Sequence, residues 1–234
     1  RTYHSYDHPP PPGPFNEAES AILSAAYRHA PLHGFTQTSL ALGARDAGYL
    51  DISTNLLPDG GAFSLIRWHL VSQRAALAAH AATSPLFNSP NNNDTTSSSL
   101  PARVEALTFA RLESNAPIIA RWQEALAVMA QPSHVPASLA ELAQLADDIY
   151  FLAGDVTVDG SWYAKRAALS TIYAAAELFM TNDKSVGFRD TRAFLRRRLD
   201  EAGELAGVAG SVREWVGFTA TAGVNVLRSK GVPI

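Results

Sequence analysis

The chain has 234 residues, 47% of them hydrophobic and 18% charged, enough for a globular protein with a sizeable core. A net charge of -3 argues against a nonspecific nucleic-acid binder, because gripping phosphates takes concentrated lysine and arginine. With no cysteine there is no thiol chemistry, no Cys-ligated metal centre and no disulfide, and no apolar run is long enough to span a bilayer.

Residues 1–15 carry four consecutive prolines and are predicted to be a disordered, Pro-rich tail. Because the chain starts at Arg1, a removed transit peptide is expected ahead of it. From Asn16 the pattern is helical, with a capping box to Glu19 and an apolar stripe of Ile22, Leu23, Ala26 and Tyr27. This helix is expected to end near Pro31, before a turn at His33-Gly34-Phe35. A short helix over Ser39–Ala47 stops at Gly48, followed by a short element around Ile52–Leu57 and a helix from Phe63 to about Ala82. Residues 84–99 form a polar, low-complexity insert that buries too little apolar surface to order itself, so a mobile loop is expected.

The next helices are predicted over Pro101–Asn115, with Val104, Leu107, Thr108 and Leu112 on one side, and over Ala116–Met129, ended by Pro132 and Pro136. Two helices then flank a short acidic loop, and Ser138 with Glu141 suggests a capping box opening the first of them. Its stripe is Leu139, Leu142, Leu145, Ile149 and Leu152. Trp162-Tyr163 opens the second, whose inward face is Leu169, Ile172, Tyr173, Ala176, Phe179 and Met180. A charged helix over Asp190–Ala206 follows.

The segment 203–234 places Leu205, Val208, Val212, Trp215, Val216, Val226 and Leu227 on one arc, with Phe218 as a further apolar anchor. Glycines at 203, 207, 210, 217 and 223 weaken that helix by about 1 kcal/mol each relative to alanine. Such a stretch suits ordering on a membrane interface or a partner, and the pattern fits an ordinary C-terminal docking helix equally well. Signatures of catalysis are absent: no G-x-S-x-G, Walker A, G-x-G-x-x-G, H-E-x-x-H or Glu-x-x-His occurs. Asp147 and Asp148 are adjacent and diverge by about 100° on a helix, so they do not converge on one proton or metal. His29, His33, His69, His80 and His134 are scattered singly and read as structural or exposed. A non-enzymatic protein is the expectation, with no cofactor.

The stretch AILSAAYRHAPLHGFTQTSLALGARDAG, Ala21 to Gly48, resembles the N-terminal helix-turn-helix region of TetR-type transcriptional regulators. Between Asp46 and Ile66 there is no lysine or arginine, while Asp46, Asp51 and Asp59 are negative, the wrong sign for reading a major groove. The fold is expected and DNA binding is not.

A second resemblance covers about Ala21–Ala202 apart from the insert. Its carriers are Pro132-Ser133-His134-Val135-Pro136 with Ser138-Leu139, then LADDIYFLAGDVTVDGSWYAKRAALSTIYAAAEL, then FRDTRAFLRRRLDEA. These resemble the mitochondrial ubiquinone-biosynthesis accessory family called coenzyme Q protein nine. The resemblance implies an all-α, TetR-like bundle with a degenerate N-terminal helix-turn-helix over 16–62, a lipid-binding bundle over 62–202, and a C-terminal amphipathic membrane helix over 203–234. It implies a homodimer through C-terminal helices, peripheral on the matrix face of the mitochondrial inner membrane and in contact with its lipids. It implies an isoprenoid lipid or quinone precursor in an apolar cavity, for which the candidate lining is Trp122, Leu126, Met129, Leu145, Leu169, Ile172, Tyr173 and Phe179. It further implies binding to the di-iron demethoxyubiquinone hydroxylase, among other ubiquinone-synthesis proteins, through a patch that maps onto Asp147, Ile149, Tyr150, Trp162, Tyr163 and Arg166. Ile149 and Tyr150 are shape variants of that patch. The alternative is a ligand-sensing TetR-type regulator that binds DNA.

Overall fold

The computed structural model describes residues 14–88, 99–155 and 161–207, and among them the regular elements are all helical. Ten α-helices follow in order: α1 Glu17–Tyr27, α2 Ala30–His33, α3 Gln37–Asp46, α4 Ala62–Thr83, α5 Pro85–Asn88, α6 Leu100–Glu113, α7 Ile119–Met129, α8 Val135–Ala153, α9 Ser161–Met180 and α10 Arg189–Gly207. Single 3-10 segments lie at Asp51–Leu56, Ala116–Ile118 and Val186–Phe188. The described part of the predicted 16–202 domain divides into two compact units, one drawn from residues up to Ser72 with Ala120–Ser138, the other from Gln73–Ile119 with Leu139 onward.

The first unit is built on the crossing of α1 and α3. Asn16 and Glu19 form the expected capping box: Asn16 Oδ1 accepts from the Glu19 backbone N–H at 2.9 Å, and Glu19 Oε2 accepts from that of Asn16 at 2.8 Å. Ile22, Leu23 and Ala26 are buried against Leu40 and Ala44 from α3. The helices approach so closely that a Cβ on Gly43 would lie 2.3 Å from the Ala26 backbone nitrogen, so only glycine fits there. Burying each of the large aliphatic side chains here removes enough apolar surface from water to contribute about 2 kcal/mol. Phe63 stacks on His134 at 4.1 Å, while His69 and Phe35 pack on Trp122 at 4.9 and 5.6 Å.

The core of the second unit gathers Leu77, Leu107, Leu112, Leu145, Ile149, Leu169, Ile172, Tyr173 and Leu195. Arg74 of α4 ties α8 from one side, donating to Asp148 Oδ2 at 2.8 Å and to Glu141 Oε2 at 3.3 Å. The N-terminus of α10 is capped at a distance by Asp183, whose Oδ2 accepts from the Thr191 N–H and hydroxyl and whose Oδ1 accepts from Ser185 N–H.

Several boundaries differ from expectation. Pro31 does not end a helix; it sits in the first turn of α2, where a missing N–H costs nothing. Pro136 likewise lies in the first turn of α8, which begins at Val135 and not at Ser138. Ser138 is therefore interior, its Oγ donating to His134 O, and Glu141 is buried on Arg74 and caps nothing. Residues 85–88 of the polar insert form the short helix α5, and 89–98 lie outside the described residues, as does the tail over 1–13.

Candidate functional site

The joint between α8 and α9 concentrates the features that a binding surface needs. The chain leaves α8 through Gly154, whose φ of +86° suits a residue without a side chain, and the Asp155 N–H then donates to Tyr150 O at 2.9 Å. Asp155 is thereby held inward, and its carboxylate lies 3.6 Å from Lys165 Nζ and 3.8 Å from Arg166 Nη1. On α9, Arg166 is only 8% exposed. Its Nε donates to Asp147 Oδ1 at 2.6 Å, and its Nη1 donates back to Trp162 O at 3.3 Å. The guanidinium lies over the Trp162 ring at 3.9 Å and over the Tyr150 ring at 5.3 Å. Two aromatic faces and two carboxylates thus fix one cation, and a flat guanidinium is the side chain able to bond in its plane while stacking on its faces. Burial, followed by the Asp155 charge, raises the Tyr150 phenol above its ordinary range against the pull of Arg166, so the ring remains a neutral stacking partner.

Outside this clamp stand two side chains directed to solvent. Tyr163, 76% exposed, packs edge-on against Trp162 at 4.6 Å, and Phe151 of α8 is 72% exposed. Rings of this size left in water beside an ordered charge cluster are the usual material of a protein-binding hot spot. The arrangement suits recognition: its carboxylates are engaged by cations, and its one strongly ordered arginine is enclosed.

Of the six predicted patch residues, the structure brings Asp147, Tyr150, Trp162, Tyr163 and Arg166 together. Ile149 is a correction: it is fully buried in the core of the second unit and offers no surface. Its place in the apolar stripe of α8 explains why. Asp155, Lys165 and Phe151 belong to the site in addition to the predicted residues, and their one local signal is the A-G-D run in which Asp155 follows the helix stop.

The eight predicted lipid-lining residues fall into both units. Trp122 is fully buried in the first, where Leu126 and Met129 are half-buried on the same helix. Leu145, Leu169, Ile172 and Tyr173 meet in the core of the second. Phe179 is a further correction: it is 40% exposed and stacks on Phe194 of α10 at 4.7 Å, outside the buried face of α9. Of the membrane residues, Leu205 lies on α10 with its side chain outside the described residues; Val208, Val212, Trp215, Val216, Phe218, Val226 and Leu227 lie outside them altogether. Among the described residues, no helix is long and apolar enough to cross a membrane.

The helix-turn-helix region carries a different arrangement. Arg45 pairs with Asp51 and Arg67 with Asp59, so the two arginines that bracket the cation-free stretch are both engaged by its aspartates. Leu50, Ile52 and Leu56 beside them are exposed.

Comparison with known proteins gives a consistent set. Residues 135–206 match a family described as COQ9. The ubiquinone biosynthesis protein coq9, mitochondrial, of Schizosaccharomyces pombe is 35% identical over 217 residues, which are 92% of this chain and 81% of that protein. The Drosophila melanogaster protein named COQ9 is 35% identical over 82% of this chain, and the Homo sapiens one 30% identical over 84%. The chain spans 60% and 61% of the length of those two relatives. Among solved structures, a TetR transcriptional regulator from Nitrosomonas europaea aligns with a TM-score of 0.59 over 80% of this chain and 99% of its own, at 16% identity. That likeness shows a TetR-like fold and nothing of function.

Proposed function

The chain belongs to the COQ9 family, and from that premise we infer that it serves mitochondrial ubiquinone biosynthesis as a non-catalytic accessory protein. In this reading it holds an isoprenoid quinone precursor in its apolar interior and presents it to the di-iron demethoxyubiquinone hydroxylase. It works as a homodimer, peripheral on the matrix side of the inner membrane, with residues 203–234 as the attachment. The observation that carries the partner half is the α8–α9 joint, where Arg166 is locked between Trp162 and Tyr150 while Tyr163 and Phe151 face outward. Tyr163, already packed on the clamped Trp162 ring, loses little side-chain entropy on docking. Beyond Tyr163, the exposed residues of α9, Ala167, Ala174, Ala175, Leu178 and Phe179, carry no charge, which favours that stretch for a contact between copies.

The test is co-purification of the hydroxylase with the full chain, together with its bound lipids read by native mass spectrometry. Tyr163→Ala is expected to weaken the hydroxylase by about thirtyfold while leaving the lipid complement unchanged. Quinone precursors absent from the unmutated protein would leave a scaffold without a ligand. A DNA-binding regulator is the second reading, favoured by the fold alone. Its recognition region has Arg45 and Arg67 neutralised in place, and a flat gel-shift titration at low salt disposes of it.

A further inference from the structure

α6 presents Val104, Leu107, Thr108 and Leu112 to the core of the second unit, and on the same face it places an arginine. Arg111 is 1% exposed, as buried as the leucines on either side of it. Its Nη1 is spoken for, donating to Ser114 Oγ at 2.9 Å and to Asn115 Oδ1 at 2.8 Å. Its Nε and Nη2 are shut off from solvent with no hydrogen-bond partner. A guanidinium N–H bonds strongly to any oxygen within reach, and leaving two of them bare in an apolar interior is costly. The charge itself has company. Glu177 of α9 accepts from Asn115 Nδ2 at 3.0 Å and from the Tyr173 hydroxyl at 3.1 Å, and the guanidinium lies 5.9 Å from the Tyr173 ring. Burial, against the pull of Arg111, pushes the Tyr173 phenol far above its ordinary range, so it stays a donor to Glu177.

The geometry points to Arg111 as the polar anchor of the apolar ligand, its Nε–H and Nη2–H donating to a neutral oxygen acceptor, a ring carbonyl or ring methoxy oxygen, on a head group whose tail lies among the core aliphatic side chains. This rests on the lipid-holding reading above. A second anion is not called for, because one carboxylate already shares the cluster with one guanidinium. Nor does a bare hydrocarbon answer the unbonded donors. What fits is a molecule that is mostly apolar with oxygen at one end, the chemistry of a prenylated quinone. The nearby Ser114 and Asn115 set the plane of the guanidinium through Nη1, and its Nε–Nη2 edge stays unbonded.

The experiment compares two probes on the full chain: a dimethoxy-methylbenzoquinone bearing two isoprene units, and the isoprenoid hydrocarbon of the same length without a head. Binding is read by tryptophan quenching and by native mass spectrometry. The unmutated protein is expected to prefer the quinone by about tenfold or more. Arg111→Met, close in volume and without donors, is expected to abolish that preference and leave hydrocarbon binding unchanged. Ser114→Ala, which removes an acceptor from Nη1 and a donor to the Arg111 carbonyl but nothing from the Nε–Nη2 edge, is expected to keep the preference. If Arg111→Met fails to fold, Arg111→Lys decides by the same ratio, because it keeps the charge and lacks the planar pair of donors. Equal preference in the substituted and unmutated chains overturns the anchor and assigns the two N–H groups to a trapped water. Failure of the unmutated chain to bind either probe overturns the lipid-holding reading instead.

Discussion

The Arg45–Asp51 pair beside α3 and the Arg166–Asp147 pair between α9 and α8 share one chemistry and nearly one length, 2.5 and 2.6 Å. The first stands in water, with both side chains largely exposed; the second has its arginine closed over by two rings and its far side turned to the inward carboxylate of Asp155. In water such a pair is screened and held at the expense of side-chain entropy. Under aromatic cover it is held by packing, and removing one member strands the other. The pair by α3 therefore cancels charge that gripping DNA would require free, while the pair by α9 positions a surface. The same two residue types do opposite work because only one of the arginines is buried; the two aspartates are about equally exposed.

The largest effect expected on either side comes from neither ion pair. Gly43→Ala puts a methyl into the Ala26 backbone and is expected to cost about 3 kcal/mol, read from the urea midpoint. Unchanged stability would mean that the α1–α3 crossing is looser than described, and the region's exposed pair would then have to matter. Next comes Arg166→Ala, expected to destabilise by about 2 kcal/mol because the inward Asp155 loses one of its cations and the Trp162 and Tyr150 rings lose the group between them. A value near zero would erase the contrast between the two pairs.

A third carboxylate sharpens the comparison through pH. Burial opposes the ionised form of Asp183, yet hydrogen bonds from Thr191 and Ser185 outweigh it and hold the carboxyl at about 2, below its ordinary 3.8. A folded-state value lowered in this way adds stability that is complete above the unfolded value and disappears as pH falls from 3.8 through about 2. Asp183→Asn is expected to melt lower than the unmutated chain at neutral pH, with the gap narrowing across that acid window. A gap independent of pH would show that Asp183 acts through shape and not through charge. The smallest effect belongs to Asp51→Asn combined with Asp59→Asn, which removes one carboxylate from Arg45 and one from Arg67. A loss below about 1 kcal/mol from the urea midpoint is expected, and no sequence-specific retention of DNA in a gel. Specific retention would make these aspartates the switch that silences a working reader.

Much of this was legible in the residues. The apolar stripes of α6, α8 and α9 name most of the second core, and the Asn16 capping box is as written. The misplaced ends share one cause. Pro31 and Pro136 have the look of terminators, yet proline suits a first turn as well as a stop, and local sequence does not say which side of it the helix lies on. Ser138 and Glu141 have the spacing of a cap, but Arg74, 67 residues away from Glu141, takes the carboxylate. Long-range pairing of that kind is invisible to a local pattern. Ile149 was legible and overlooked, since its stripe already pointed inward when the resemblance put it on the surface. Arg111 was legible too: it follows Val104, Leu107 and Thr108 at helical spacing, which places a cation on an apolar face. The Arg166 clamp was not, because its rings and carboxylates come from two helices and a loop.

Asp147 and Asp148 are neighbours whose side chains leave α8 about 100° apart, and each is seized by a different helix, one by Arg166 of α9 and the other by Arg74 of α4. A helix gripped on one side can still roll about its own axis, as a log rolls against a wall. Gripped from two bearings, it cannot turn either way without stretching one tether. Phe151 follows these residues by four and three positions and so inherits their heading. A partner that docks on it meets a side chain whose azimuth is fixed before contact, like a key already clocked to its slot.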